Sequence, residues 1–306
     1  MSKTQKAILF AILSAFGFSI QDTAVKALAS HASIWQLMFI RSMIVVCILI
    51  FWGLSSGTTQ QIKLKTRLWP IMRAICMSLA YTLFYASLPF VALTEASSCF
   101  FTTPIFICIF ASVFLGERIG LWRITAVILG FFGALLIIQP GLSNFNPILT
   151  LPVFAGLFYA LGVIITRGLC KEEPSFALTM AHNLFYACLG LFAVTFIPTL
   201  NLDAEFSEKN TFLFQGWIEV TLFTTVLISI TAITHIVSMT ASIFAYQNAE
   251  AAIVAPVEYT YLIFAAFIDY LFWSFLPSTT HVLGATIILG SGIVITWREW
   301  VARHQN

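Results

Sequence analysis

Long apolar runs separated by short polar breaks make up the chain, and most of the runs share one length. From Phe90 to Gly141 two such runs are joined by Gly116-Glu117-Arg118-Ile119-Gly120 and closed by Gln139-Pro140-Gly141. Each holds about 20 residues, which at ~1.5 Å per residue crosses a ~30 Å hydrocarbon layer. Reading the whole chain this way predicts ten spans, at about 7–28, 34–54, 68–88, 91–115, 121–139, 147–167, 175–198, 216–245, 251–273 and 281–297. The predicted class is an all-α integral membrane protein. The first run follows Lys3 and Lys6 as a signal peptide would, but Gln21, Asp22 and Lys26 interrupt the approach to a cleavage site. An uncleaved first helix is expected.

A looser copy of the 90–141 pattern returns at 249–297. Five helices per unit is an odd number, so a second copy enters the membrane upside down. Residues 1–141 and 142–306 are therefore predicted to be two inverted five-helix repeats. Glu95 opens the fourth span from outside and Glu250 opens the ninth from inside. Such halves can expose one central site to each face in turn, a common transporter design. Duplication in a channel or a scaffold is the alternative.

Charge placement gives an orientation. Lys3, Lys6, Lys63, Lys65, Arg67, Arg73, Arg118, Arg123, Arg167, Lys171, Arg298 and Arg303 fall on one side, against Lys26 and Lys209 on the other. Cationic residues accumulate on the cytoplasmic side, so both termini are expected there, in a bacterial inner membrane.

Composition narrows the function classes. With 59% hydrophobic and 9% charged residues, no soluble core could hide the apolar surface. A net charge of +2 without a basic tract gives no reason to expect a nucleic-acid partner. The six cysteines show no C-x-x-C spacing, so neither a disulfide nor a metal is expected. Gly17-Phe18-Ser19 lacks the glycine of a nucleophile elbow, and no H-E-x-x-H or G-x-x-x-x-G-K is present, so an enzyme, a cofactor and an ATP motor are not expected. Gly130, Gly133, Gly284, Gly290 and Gly292 are expected to let helices approach closely.

Ionisable groups inside a bilayer are costly, so those present are candidate sites. Asp22 and Lys26 are one turn apart, the spacing of an ion pair, and Asp22 and Arg41 lie at similar depths on the first two helices. His182 or Asn183 takes roughly the place of Arg41 in the second half. Glu258 sits near the midplane, with Tyr261, Ala265 and Asp269 expected on its helix face. Pro256 removes a backbone donor just before it. Glu258 is expected to bind a cationic group or to take up a proton. Tyr81 and Tyr85, one turn apart and two turns beyond Arg73, are expected to wall a solute site. Lys26, Glu95 and Asp269 are candidates for a coupling or structural ion pair. His235 is expected to be a hydrogen-bonded structural residue.

The order and spacing of SIQDTAVKALASHASIWQLMFIRSM, TEASSCFFTTPIF with FLGER, and AYQNAEAAIVAPVEYTYLIFAAFIDYLF resemble the EamA family of the drug/metabolite transporter superfamily. Within it, Asp22/Lys26, Arg41 and Pro256 with Glu258-Tyr259 are similar to a bacterial branch that includes S-adenosylmethionine uptake carriers. One departure is Ser274-Phe275, where the family has a pair like Gly116-Glu117. What the resemblance implies is a central cavity for a small organic solute, such as S-adenosylmethionine or an amino acid. The solute would move by alternating access across the lipid bilayer, coupled to a proton or other ion or by exchange.

Overall fold

The computed structural model describes residues 3–116, 121–138, 146–200, 202–249, 254 and 257–304. Among these residues every regular element is helical. That follows from the apolar runs, because a bilayer offers no water to unpaired N–H and C=O groups and a helix satisfies its own. The helices are α1 (Lys3–Leu28), α2 (Ile34–Ser55), α3 (Leu68–Ser87), α4 (Leu93–Phe100), α5 (Thr103–Leu115) and α6 (Leu121–Ile138). They continue with α7 (Thr150–Leu169), α8 (Ser175–Phe196), the short α9 (Ala204–Lys209) and α10 (Thr211–Phe214), α11 (Leu222–Asn248), α12 (Thr260–Trp273) and α13 (Thr279–His304). Among the described residues seven segments are long and apolar enough to cross a membrane, and Ile128–Ile137, Thr260–Trp273 and Thr279–Ser291 are shorter apolar helices.

Burial runs opposite to that of a soluble protein. Large apolar side chains face outward, Phe51 at 74% and Leu222 at 82% exposure, while Ala7, Ala11, Ala15, Ser14 and Ser19 are buried. Small residues inside bring backbones together, and the outer belt fits lipid. Gly133 and Gly284 carry this furthest: a Cβ on either would lie 2.8 or 2.6 Å from the other's carbonyl oxygen, so α6 and α13 meet backbone to backbone. Gly130 is equally tight against Ile105, whereas Gly290 faces open space and makes no such contact.

Packing follows a definite pattern. α1 lies on α11, α3 on α7, α2 on α8 and α6 on α13. α7 also contacts α4 and α5, α12 contacts α1 and α4, and α3 and α11 touch α8 and α2 respectively. Loops tie the ends together. The Glu173 carboxylate accepts the N–H groups of Lys65 and Thr66 and the Thr66 hydroxyl, each at 2.7 Å. At the opposite ends of the helices, Ser33 donates to the Gly216 carbonyl at 2.6 Å and Trp35 Nε1 to that of Leu213 at 2.7 Å.

Two features depart from the expected spans. The fourth run is not one helix, for α4 stops at Phe100 and α5 begins at Thr103. The Thr102 hydroxyl donates to the Cys99 carbonyl at 2.9 Å, the Thr103 hydroxyl to that of Phe100 at 2.5 Å, and Pro104 has no N–H to continue the ladder. Gly156 of α7 accommodates the break, since a Cβ there would lie 2.8 Å from the Phe100 carbonyl oxygen. The ninth run breaks as well, at Tyr259, a turn residue just before α12. Pro256, Glu250, Glu117 and Arg118 lie outside the described residues.

Gly116 and Ser274 end α5 and α12 in the same way, with φ of 68° and 52°. The left-handed conformation suits Gly and strains Ser, whose Cβ crowds the backbone. Ser274 is thus the structural counterpart of Gly116 despite the sequence departure. Ser274→Gly is expected to stabilise the protein by up to about 1 kcal/mol. Thermal unfolding of the detergent-solubilised variant checks this: a midpoint at or below the wild type contradicts it.

Candidate functional site

On α1, Ser14, Phe18 and Asp22 recur every four residues and, with Ala15 beside them, form one face. This face lines a cavity closed by Tyr81 and Phe84 of α3, Ser97 and Phe100 of α4, Phe101 at the helix break, Tyr159 of α7, and Glu258 and Tyr261 around the second break. The cavity measures about 60 Å³. That holds a few waters, so a larger solute needs the walls to part.

Two carboxylates stand in these walls, and each is held by neutral donors. The Tyr246 hydroxyl donates to Glu258 Oε2 at 2.7 Å, while Tyr159 and Ser242 approach Oε1 at 3.4 Å. The Tyr261 hydroxyl donates to Asp22 Oδ2 at 2.8 Å, with Gln21 Nε2 at 3.5 Å from Oδ1. The ion pairs among the described residues are Lys26–Asp269 at 3.2 Å and Glu95–His281 at 3.1 Å, and neither includes Asp22 or Glu258. Hydroxyl donors orient a carboxylate without neutralising it, leaving both groups chemically able to take a cation or a proton.

The one-turn spacing of Asp22 and Lys26 does not become an ion pair. Lys26 turns to Asp269, whose other oxygen accepts the Thr94 N–H and hydroxyl at 2.6 Å, and its ammonium also sits 4.5 Å from the Trp273 ring centre. Asp22 takes Tyr261 instead. Tyr261 and Asp269 are two turns apart on α12, so α1 and α12 are joined by two polar contacts along one seam. Across the first two helices, Asp22 and Arg41 are likewise unpaired. Arg41 Nη1 lies 3.5 Å from the Tyr85 hydroxyl, and its guanidinium carbon lies 5.1 Å from the Tyr186 ring centre.

The expected stripe from Glu258 divides at Tyr259. Tyr261, Ala265 and Asp269 are buried on α12, whereas Glu258 precedes that helix and meets α7 and α11 through Tyr159 and Tyr246. Tyr81 lines the cavity, but Tyr85 lies behind it, accepting a hydrogen bond from Gln21 Nε2. Arg73 donates to the Thr166 hydroxyl at 2.7 Å. His235 Nδ1 lies 3.0 Å from Gln21 Oε1. Glu95 accepts the Ala92 N–H at 3.2 Å and meets His281 at the partly exposed end of the bundle, away from the cavity. Among the described residues no group of three His, Cys, Asp or Glu side chains is arranged to hold a metal.

Sequence reasoning missed Tyr159, Tyr246, Ser242 and Gln21. The first three carry no charge and sit in apolar runs, and only their convergence on Glu258 marks them. Gln21 had a visible signal, being polar beside Asp22 in a membrane helix.

Residues 5–139 match the model of the EamA-like transporter family. An S-adenosylmethionine uptake transporter of Rickettsia bellii is 24% identical over 292 residues, 94% of this chain and 92% of that one. A pseudopaline exporter, CntI, of Pseudomonas aeruginosa is 23% identical over 300 residues, covering 94% and 95%. One solved crystal structure aligns over 100% of this chain and 99% of its own with a TM-score of 0.63 at 14% identity, a likeness of fold alone.

Proposed function

We propose that this chain, whose residues 5–139 match the EamA-like transporter family, works as a secondary carrier, moving a small organic metabolite with a cationic centre by alternating access. One observation carries this: Asp22 and Glu258, from opposite halves of the chain, line a single cavity beside two helix breaks, and neither has an ion-pair partner among the described residues. Broken helices at a shared cavity are where carriers bind their solutes. The aromatic walls suit an organic cation. The relatives named for S-adenosylmethionine uptake and pseudopaline export support an S-adenosylmethionine-like or amino-acid-like solute. A pH gradient or exchange supplies the energy, Glu258 being the proton-accepting group.

Ten spans in two inverted halves, 1–141 and 142–306, form part of the same proposal. Exchanging each helical span for the one five spans along returns the same contacts: α1 on α11 becomes α7 on α3, α12 on α1 becomes α4 and α5 on α7, while α2 on α8 and α6 on α13 map to themselves. The loop contacts support one threading, because Lys65 and Thr66 meet Glu173 on the proposed cytoplasmic side and Ser33 meets Gly216 on the other. Both termini are then cytoplasmic, in the inner membrane of a bacterium.

The test is uptake into proteoliposomes of labelled S-adenosylmethionine, amino acids, riboflavin and nucleosides, with and without a pH gradient. Saturable uptake of a subset is expected. Non-saturating passage of many ions would instead make the protein a channel.

A further inference from the structure

Behind the cavity the bundle buries positive charge. Arg41 and Arg73, at 0% and 1% exposure, are among the largest fully buried side chains. Arg41 Nε and Nη2 and Arg73 Nη1 have no hydrogen-bond partner among the described residues, and a guanidinium can only donate. No carboxylate among the described residues forms an ion pair with either. A buried guanidinium facing tyrosines and a threonine is well placed to receive an anion.

The cavity and this region meet at Tyr81. Its ring lines the cavity, stands 5.5 Å from the His182 ring and 6.5 Å from that of Tyr186, and Tyr186 in turn carries the Arg41 guanidinium at 5.1 Å. A second route runs from Asp22 through Gln21 and Tyr85 to Arg41. Its outer links, Gln21 to Asp22 and Arg41 to Tyr85, are both 3.5 Å long. Contacts at that length are weak and easily exchanged for a solute's groups. Negative groups therefore stand on one side of Tyr81 and Tyr85 and positive groups on the other.

We propose that the transported solute is a zwitterion, its cationic centre on Asp22 and Glu258 and its carboxylate on Arg41, with Tyr81 turning aside to join the two spaces. This rests on the carrier function above and names its substrate class. A plain organic cation would leave Arg41 without an anion, so the order of charges favours the zwitterion over the amine. Arg73, further along α3, adds positive potential without being the contact.

The test compares uptake of carboxylate-bearing zwitterions with that of their decarboxylated amines. S-adenosylmethionine and lysine are each paired with the amine lacking the carboxylate, and wild type is run beside Arg41→Gln and Arg41→Lys in proteoliposomes. Wild type is expected to take up one zwitterion at least 30-fold better than its amine. Arg41→Gln should lose that preference because zwitterion uptake falls far more than amine uptake, and Arg41→Lys should regain part of it. Equal wild-type uptake of zwitterion and amine, or an equal fall of both in Arg41→Gln, overturns the zwitterion proposal and leaves the carrier standing. Uptake of no compound in either set contradicts the carrier and the proposal together.

Discussion

Glu258→Gln is expected to abolish gradient-driven uptake while leaving the protein folded. Glutamine keeps the shape of the side chain, and its amide oxygen still accepts the Tyr246 hydroxyl now 2.7 Å from the carboxylate. What disappears is the negative charge and the proton-accepting oxygen. Removing one partner from a buried charged contact costs about 2 to 5 kcal/mol, and at about 1.4 kcal/mol per decade this means a loss of about 30-fold or more. Initial uptake rates in proteoliposomes check it, with thermal unfolding as the control for folding. If Glu258 couples transport to protons, solute exchange in the absence of a gradient survives better than net uptake. Uptake equal to wild type would return Glu258 to the status of a packed, hydrogen-bonded residue.

Separating Lys26 from Asp269 should have the largest effect on stability. The Asp269 side chain is 1% exposed and holds three donors, Lys26 and the N–H and hydroxyl of Thr94. Lys26→Met leaves that carboxylate buried with two neutral donors. Breaking a buried pair from one side costs about 3 to 5 kcal/mol, whereas removing both charges is far less harmful. Lys26→Met is therefore expected to lower the unfolding midpoint sharply, and Lys26→Met/Asp269→Asn to recover most of the loss. The cycle isolates the coupling between the two groups. A single variant that melts with the wild type would mean that water, reaching the 13% exposed Lys26 side chain, already screens the pair. Because the pair joins α1 to α12 beside Tyr261 and Asp22, the double variant also reports whether this seam moves during transport.

Much of this architecture was legible in the sequence, because a bilayer leaves few options to an apolar run. Spans could be placed by length, and charged residues inside them could be singled out by cost alone. The partners of those charges could not be. Spacing along one helix favoured Asp22 with Lys26, yet the tertiary neighbour Asp269 lies 243 positions away and carries two further donors from Thr94. Hydroxyl ligands were hidden for a different reason. Tyr159 and Tyr246 look like any aromatic residue in a membrane helix until Glu258 is placed between them. The break at Phe101 and Thr102 was written in Thr102-Thr103-Pro104, whose hydroxyls and missing N–H compete with the helical ladder, but an unbroken hydrophobic run masked it. Ser274 shows the converse, as a serine does the work of Gly116 because the end of α12 needs the same backbone conformation.

Alternating exposure of the cavity lined by Asp22 and Glu258 is tested most directly by thiol accessibility at Ser97. Ser97 is a cavity-lining residue on α4 and close in size to cysteine. Ser97→Cys, in a background with the native cysteines replaced, would be exposed to a membrane-impermeant thiol reagent from each face in right-side-out and inverted vesicles. Labelling from both faces, slowed from both by the transported solute, is the predicted result. Labelling from one face alone, or labelling indifferent to the solute, would contradict a single cavity that opens to each side in turn.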